Sequence, residues 1–277
     1  MSSLSHYGPS KSIVLPGTIP IAPLGVEPVL RSKNGLTREW WDADLYFDDQ
    51  YVPVRLLVAP QIEIATESLG YMIGQVTNAP VLPSFIAIVK REYLIDSGLW
   101  RTGETEKLAF AYFSKSPMSL ATTSAFDPKF LIEWAGLPSL CVLDLLIGFS
   151  NRGVGDFRYD GQNLYAVNQY RADFIATAQP EHDLLPLESI HLPILEKLVA
   201  TWSQVQRRNF LSQAREVCAK LDGINFRRLA GLARIEAILG ADRAEVVSAN
   251  LQQRVNGIYP QLCNQVGLPA LHAVSPK

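Results

Sequence analysis

The chain has 277 residues, of which 48% are hydrophobic and 19% charged, a balance that excludes a disordered polypeptide and supplies core for one large domain or two lobes. Lys plus Arg total 25 against 27 Asp plus Glu, and the formal charge of −2 offers no general attraction to nucleic acid. Cys141, Cys218 and Cys263 are odd in number and far apart, and His6, His182, His191 and His272 are scattered, so the chain spells neither a disulfide framework nor a zinc motif. No stretch approaches a membrane span, and the first residues lack the basic-then-apolar layout of a secretory signal. The expected location is the cytoplasm.

Residues 1–18, rich in Ser, Pro and Gly, read as an irregular arm, and Ile19 to Leu30 as short extended pieces. Trp40 to Asp49 reads as a strand closed by the acidic turn Asp48-Asp49, with Tyr51 to Val58 returning as its hairpin partner. Pro53 gives that return strand an irregular or edge start. From Ile64 to Val76 the period changes: Ala65, Leu69, Met72, Ile73 and Val76 share one helical face, and Glu67, Gly70 and Gly74 fall toward another, where the glycines permit a close neighbour. Phe85 to Val89 is the clearest strand. Lys90 to Pro117 reads as less regular, and Phe126 to Ala135 as a short helix.

The segment 137–174 organises the rest. Pro138 suits a first helical turn, and Leu140, Leu143, Leu146 and Ile147 recur at helical spacing, with Asp144 near the edge of the buried face. A loop from Asn151 to Asp156 follows, in which Gly153 and Gly155 let the chain gather Asn151, Arg152 and Asp156 into a small volume. Asp160-Gly161 is a turn signal, and Leu164 to Val167 returns as a strand that delivers Asn168, Gln169 and Asp173 to the same edge. Beyond it, Leu187 to Leu211, Ala214 to Leu221, Phe226 to Leu239 and Ala241 to Val255 read as helices. A mixed part followed by a helical part predicts an α+β chain of two lobes, 19–95 and 96–277.

No Walker-type loop, GxGxxG, HExxH or GxSxG is present. The order strand, strand, helix, strand and the central segment, from about Trp40 to Phe174, resemble the HipA-like branch of the protein-kinase and phosphatidylinositol-kinase superfamily, known from bacterial toxin kinases. The resemblance implies a protein-kinase-like fold with a small antiparallel-sheet N-lobe and a mostly helical C-lobe. It places Arg55 at the position of the strand lysine that holds nucleotide phosphates, and Glu67 at its helix partner. Asn151 stands at the catalytic-base position and Arg152 beside it, Asp156 at the position of the metal-ligating Asn, and Asn168 at that of the principal magnesium-ligating Asp.

Those correspondences carry a chemical conflict. An amide brings no negative charge to a dication and cannot receive the hydroxyl proton as a carboxylate does. Both changes act on the steps that govern phosphoryl transfer. The expectation is therefore a catalytically degenerate kinase fold, a pseudokinase serving as a protein-binding or regulatory component, with ATP and magnesium held weakly if at all. Asp156 is the one possible metal ligand, with Asp144 or Asp173 as its second carboxylate, and an active atypical kinase built on it is the first alternative. A partner-binding component with no nucleotide role is the other. Arg152 is expected to brace the loop, supported by Asp144. An ion pair between Arg55 and Glu67, facing the cleft, is expected at the nucleotide end.

Overall fold

In the computed structural model, residues 18–25, 28–34, 38–93, 103–114, 121–122, 131, 134–160, 163–172 and 186–269 are described, with backbone alone at 31–34 and 121–122. Strands β1 (Ile21–Pro23), β2 (Val29–Asn34), β3 (Arg38–Phe47) and β4 (Gln50–Val58) lead to helix α1 (Gln61–Thr77), and β5 (Ser84–Lys90) and β6 (Glu106–Phe113) follow it. They form a six-stranded sheet of order β1-β5-β6-β4-β3-β2, antiparallel except where β1 runs parallel to β5.

Alternation decides which side chains turn inward. In β3, Glu39, Trp41, Ala43 and Leu45 are buried while their neighbours are half-exposed or exposed, and in β4 the inward set begins with Val52, Val54 and Leu56. The sheet also curls back on itself. Leu24 bridges Leu45, and the Gly25 N–H donates to the Asp44 carbonyl at 2.7 Å, so the continuation of β1 meets β3. Inside this barrel-like curl, Ala22, Ala43, Ala87, Ala109 and Ala111 leave room for Leu45, Leu56 and Phe85, the pairing of small and large side chains that a narrow barrel needs.

The outer face of the sheet carries Leu57, Ile86, Phe110 and Tyr112 into a second core, shared with Ile64, Leu69 and Ile73 of α1 and with the C-terminal helices. Those helices are α2 (Leu137–Ile147), α3 (Pro193–Val199), α4 (Gln204–Asp222), α5 (Phe226–Leu232), α6 (Ile235–Leu239) and α7 (Ala241–Val266). A three-stranded sheet of β7 (Ala121–Thr122), β8 (Phe157–Tyr159) and β9 (Leu164–Ala166) carries the hairpin of the central segment. The Ser68 hydroxyl donates to the Ala233 carbonyl at 2.5 Å, and the Ile19 N–H to that of Leu232 at 3.0 Å. One core thus runs through both regions. None of the helices among the described residues is long and apolar enough to cross a membrane.

The chain is α+β, with a small sheet-rich N-terminal region and a helical C-terminal region. Three expectations need correction. The segment 90–117 is not irregular: it contains β6, which lies between β5 and β4, so the N-terminal sheet extends past residue 95. The helix expected over 187–211 is broken into a 3-10 turn at Leu187–Ser189, α3 and the start of α4. Pro193 opens α3, and Ser203 opens α4 as an N-cap whose hydroxyl accepts the Gln206 N–H while the Gln206 side chain accepts the Ser203 N–H. Phe226 to Leu239 is likewise divided, at Arg234, whose φ of 59° is left-handed. The arm over 1–17, most of the helix expected over 126–135, and Asp173 and Phe174 lie outside the described residues.

The close approach expected of the α1 glycines is present. A Cβ on Gly70 would lie 2.6 Å from the Gln169 Cγ, and one on Gly74 would lie 2.7 Å from a Val81 methyl. Gly70→Ala is therefore expected to destabilise the protein by about 1–3 kcal/mol, although alanine is the better helix former. Thermal unfolding checks this. In a Gln169→Ala background the Cγ contact is gone but the residue 169 Cβ, 2.9 Å away, remains, so the cost of the same change is expected to shrink without vanishing.

Candidate functional site

Every residue of α2 is buried, so Asp144 sits within the core, not at the edge of a face. A carboxylate there needs a counter-charge. Arg152 supplies it, donating from Nε to Oδ2 at 2.8 Å and from Nη2 to Oδ1 at 2.6 Å. Its Nη1 donates to the Val167 carbonyl at 2.8 Å, and its guanidinium lies 3.9 Å from the centre of the Phe149 ring. Burial pushes the Asp144 carboxyl up, against the pull of Arg152. Arg152 thus acts as a brace between α2, the loop and the end of β9, each of its three nitrogens donating one hydrogen bond, and Asp144 is the support expected for it.

The loop places Asn151 at its exposed start, with φ of 66° and its N–H donating to the His191 carbonyl at 3.1 Å. Asn168, just after β9, has φ of 64°. Both asparagines therefore occupy left-handed backbone, which Asn tolerates better than most residues. Between them lies Asp156, 2% exposed. Its Oδ2 accepts the Gly153 N–H at 2.9 Å and its Oδ1 accepts the Asn168 side-chain amide at 3.0 Å. Nη1 of Arg171 reaches both oxygens, at 2.7 and 2.6 Å.

The loop and hairpin thus bring Asn151, Arg152, Asp156 and Asn168 into one region, but magnesium does not fit their arrangement. Both oxygens of Asp156 face Arg171, Asn168 turns its amide nitrogen inward, and Asp144 is given to Arg152. Among the described residues there is no group of three His, Cys, Asp or Glu side chains able to hold a metal ion.

At the nucleotide end, the expected Arg55–Glu67 ion pair is not formed. Arg55 lies beside Asp42, its cross-strand neighbour on β3, with Nε 3.9 Å from Oδ1. Glu67 is instead buried beneath the turn after β9. Burial pushes its carboxyl up to about 8, against the opposing pull of the Tyr170 backbone amide, Arg152 and the Gln169 backbone amide. At neutral pH it is mainly a neutral acid, and its Oε1 has no hydrogen-bond partner. The strand-to-helix spacing said nothing of how deep α1 sinks, and depth decides which partner Glu67 meets.

Between α1, the sheet and the hairpin, Glu67, Tyr71, Phe110, Tyr112, Val167 and Gln169 enclose a cavity of only about 10 Å³. Aromatic side chains close the adjoining space. Trp40 packs on Tyr112 and Tyr170, at ring distances of 5.7 and 6.3 Å, and the Arg38 guanidinium lies 4.8 Å over Tyr170. Sequence reasoning missed Arg171 and Tyr71. A signal for Arg171 was available: it is a cation three residues beyond Asn168, on the edge that returns toward an otherwise uncompensated Asp156.

No family model matches the chain, and neither does any curated protein. Among solved structures it is similar to the Helicobacter pylori proinflammatory kinase CtkA, with a TM-score of 0.51 and 10% sequence identity over 88% of this chain and 96% of that one. At that identity the likeness establishes a kinase-like fold.

Two outcomes follow from the geometry. Arg152→Ala, which strands the Asp144 carboxylate in the core, is expected to cost about 3–5 kcal/mol in denaturant unfolding. Glu67 predicts a pH dependence. Its proton is held more tightly in the folded chain, so its stabilising effect is complete below the ordinary value of 4.5 and declines until about 8. The slope contributed by this one group is at most about 1.4 kcal/mol per pH unit. Glu67→Gln should remove that contribution across the same window.

Proposed function

We propose that this protein is a catalytically degenerate HipA-like kinase fold that works as a cytoplasmic binding or regulatory protein, with another protein as its partner. The observation that carries the reading is how little space the described residues leave between α1, the sheet and the hairpin. Small-molecule sites usually offer roughly 300–1,000 Å³, whereas about 10 Å³ remains here. The contacts of Trp40 and Arg38 with Tyr170 would have to break before a nucleotide entered.

The chemistry of the loop supports the same conclusion. Asn151 has no carboxylate to receive a hydroxyl proton, and Asn168 brings no charge to a dication. The alternative of an active atypical kinase needs Asp156 for metal, and the contact with Arg171 disfavours it. The filled cavity favours the reading in which the partner-binding role needs no nucleotide.

Calorimetric titration with ATP and magnesium tests this, together with magnesium- or manganese-dependent ATP consumption by the pure protein. The expected result is no saturable binding at millimolar ATP and no turnover, in the wild type and in the Asn151→Asp/Asn168→Asp double variant alike. Micromolar ATP binding, or turnover abolished by Asp156→Ala, would reject the proposal.

A further inference from the structure

We propose that Arg171 is a tethered cation standing where a divalent ion would meet Asp156, so that the loop is neutralised from within the chain and takes up no metal there. The inference concerns the same site but does not depend on whether a nucleotide binds. Metal uptake and ATP binding are measured separately, so either proposal can fail alone.

Asp156 is nearly inaccessible to water, and a buried carboxylate demands a counter-charge. Arg152 is committed to Asp144. Arg171 is the cation whose nitrogen touches Asp156 among the described residues. The manner of contact is informative. Arginine commonly grips a carboxylate with two nitrogens in parallel, but here Nη1 alone sits between the two oxygens, at 2.7 and 2.6 Å. It meets the carboxylate as a single positive point, the way a bound ion does.

The remaining donors complete the arrangement. Gly153 and Asn168 supply one hydrogen bond to each oxygen, so the carboxylate is satisfied without a metal. The Arg171 side chain is 44% exposed, which places the guanidinium on the solvent side of a buried anion, across the approach an ion from solution would take. A dication arriving there would meet a fixed positive charge. Removing that charge leaves one carboxylate next to water and an amide that can turn its oxygen inward, a set sufficient for weak binding of a hard cation.

The experiment uses the full chain and manganese as the probe, read by loss of the free-ion electron paramagnetic resonance signal and by thermal unfolding. Wild type is expected to show no manganese binding that Asp156→Asn removes, and no shift in its unfolding temperature. Arg171→Ala is expected to unfold roughly 5 °C lower. Millimolar manganese should restore at least half of that loss and be bound, and neither effect should appear in Arg171→Ala/Asp156→Asn. Arg171→Gln removes the charge while retaining a donor, and it replaces the alanine variant if that one does not fold. Asp156-dependent manganese binding by wild type would overturn the proposal, as would a folded Arg171 variant indifferent to manganese.

Discussion

The guanidinium of Arg152 is the constraint on which the central segment depends. It joins the middle of α2 through Asp144, the end of β9 through the Val167 carbonyl and the base of the loop through Phe149. The β8–β9 ladder and the Val167 N–H, which donates to the Asp156 carbonyl at 2.9 Å, join the loop to the hairpin, and Arg152 ties both to α2. The hairpin pairing brings Asp156 and Asn168 within hydrogen-bonding distance, and the turn that carries Gln169, Tyr170 and Arg171 lies against α1. Planarity matters here. A lysine could not satisfy a carboxylate along two directions and a carbonyl along a third.

A kinase-like frame ordinarily keeps an open space between its sheet and its helices. Among the described residues of this protein, side chains pack across that junction. Gly70 lets α1 approach Gln169, Glu67 loses its charge to burial, and Trp40 reaches across to Tyr170. Each contact strengthens the join between the two regions. The hydrogen bonds from Ser68 and Ile19 to the carbonyls beside α6 act in the same direction, since they fasten the helix and the first strand of the sheet region to the far end of the molecule.

Much of the fold could be read from the sequence because its local periods are clean. Alternation marks β3 and β4, a 3.6-residue period marks α1, and an unbroken apolar run with turn signals marks β5. β6 was illegible for a physical reason. From Ala109 to Phe113 every residue is buried, half turned into the curled sheet and half toward α1, so a strand covered on both faces shows no alternation. In the site, the Asp144–Arg152 pair was legible because a buried helical acid and a neighbouring loop arginine have few other choices. The partners of Glu67 and Arg55 were not, because they depend on how far the helix sinks and how the sheet bends, which no spacing records. Arg171 escaped notice because it matters through a charge balance between loops, not through a motif.

The strand order has a consequence for synthesis. β4 and β5 are separated in the sheet by β6, which is made after both, so a chain emerging from the ribosome carries these edges unpaired until residue 113 has been exposed. Helix α1 covers the outer face of the same sheet, but its own far side waits longer still, for the helices that follow residue 186, as Ile19 waits for the Leu232 carbonyl. Open strand edges and bare apolar faces are what nascent chains aggregate through. A fragment ending near residue 95 would carry five of the six strands but lack β6, the strand that joins the β1-β5 pair to β4-β3-β2, and so would hold two unjoined pieces of sheet.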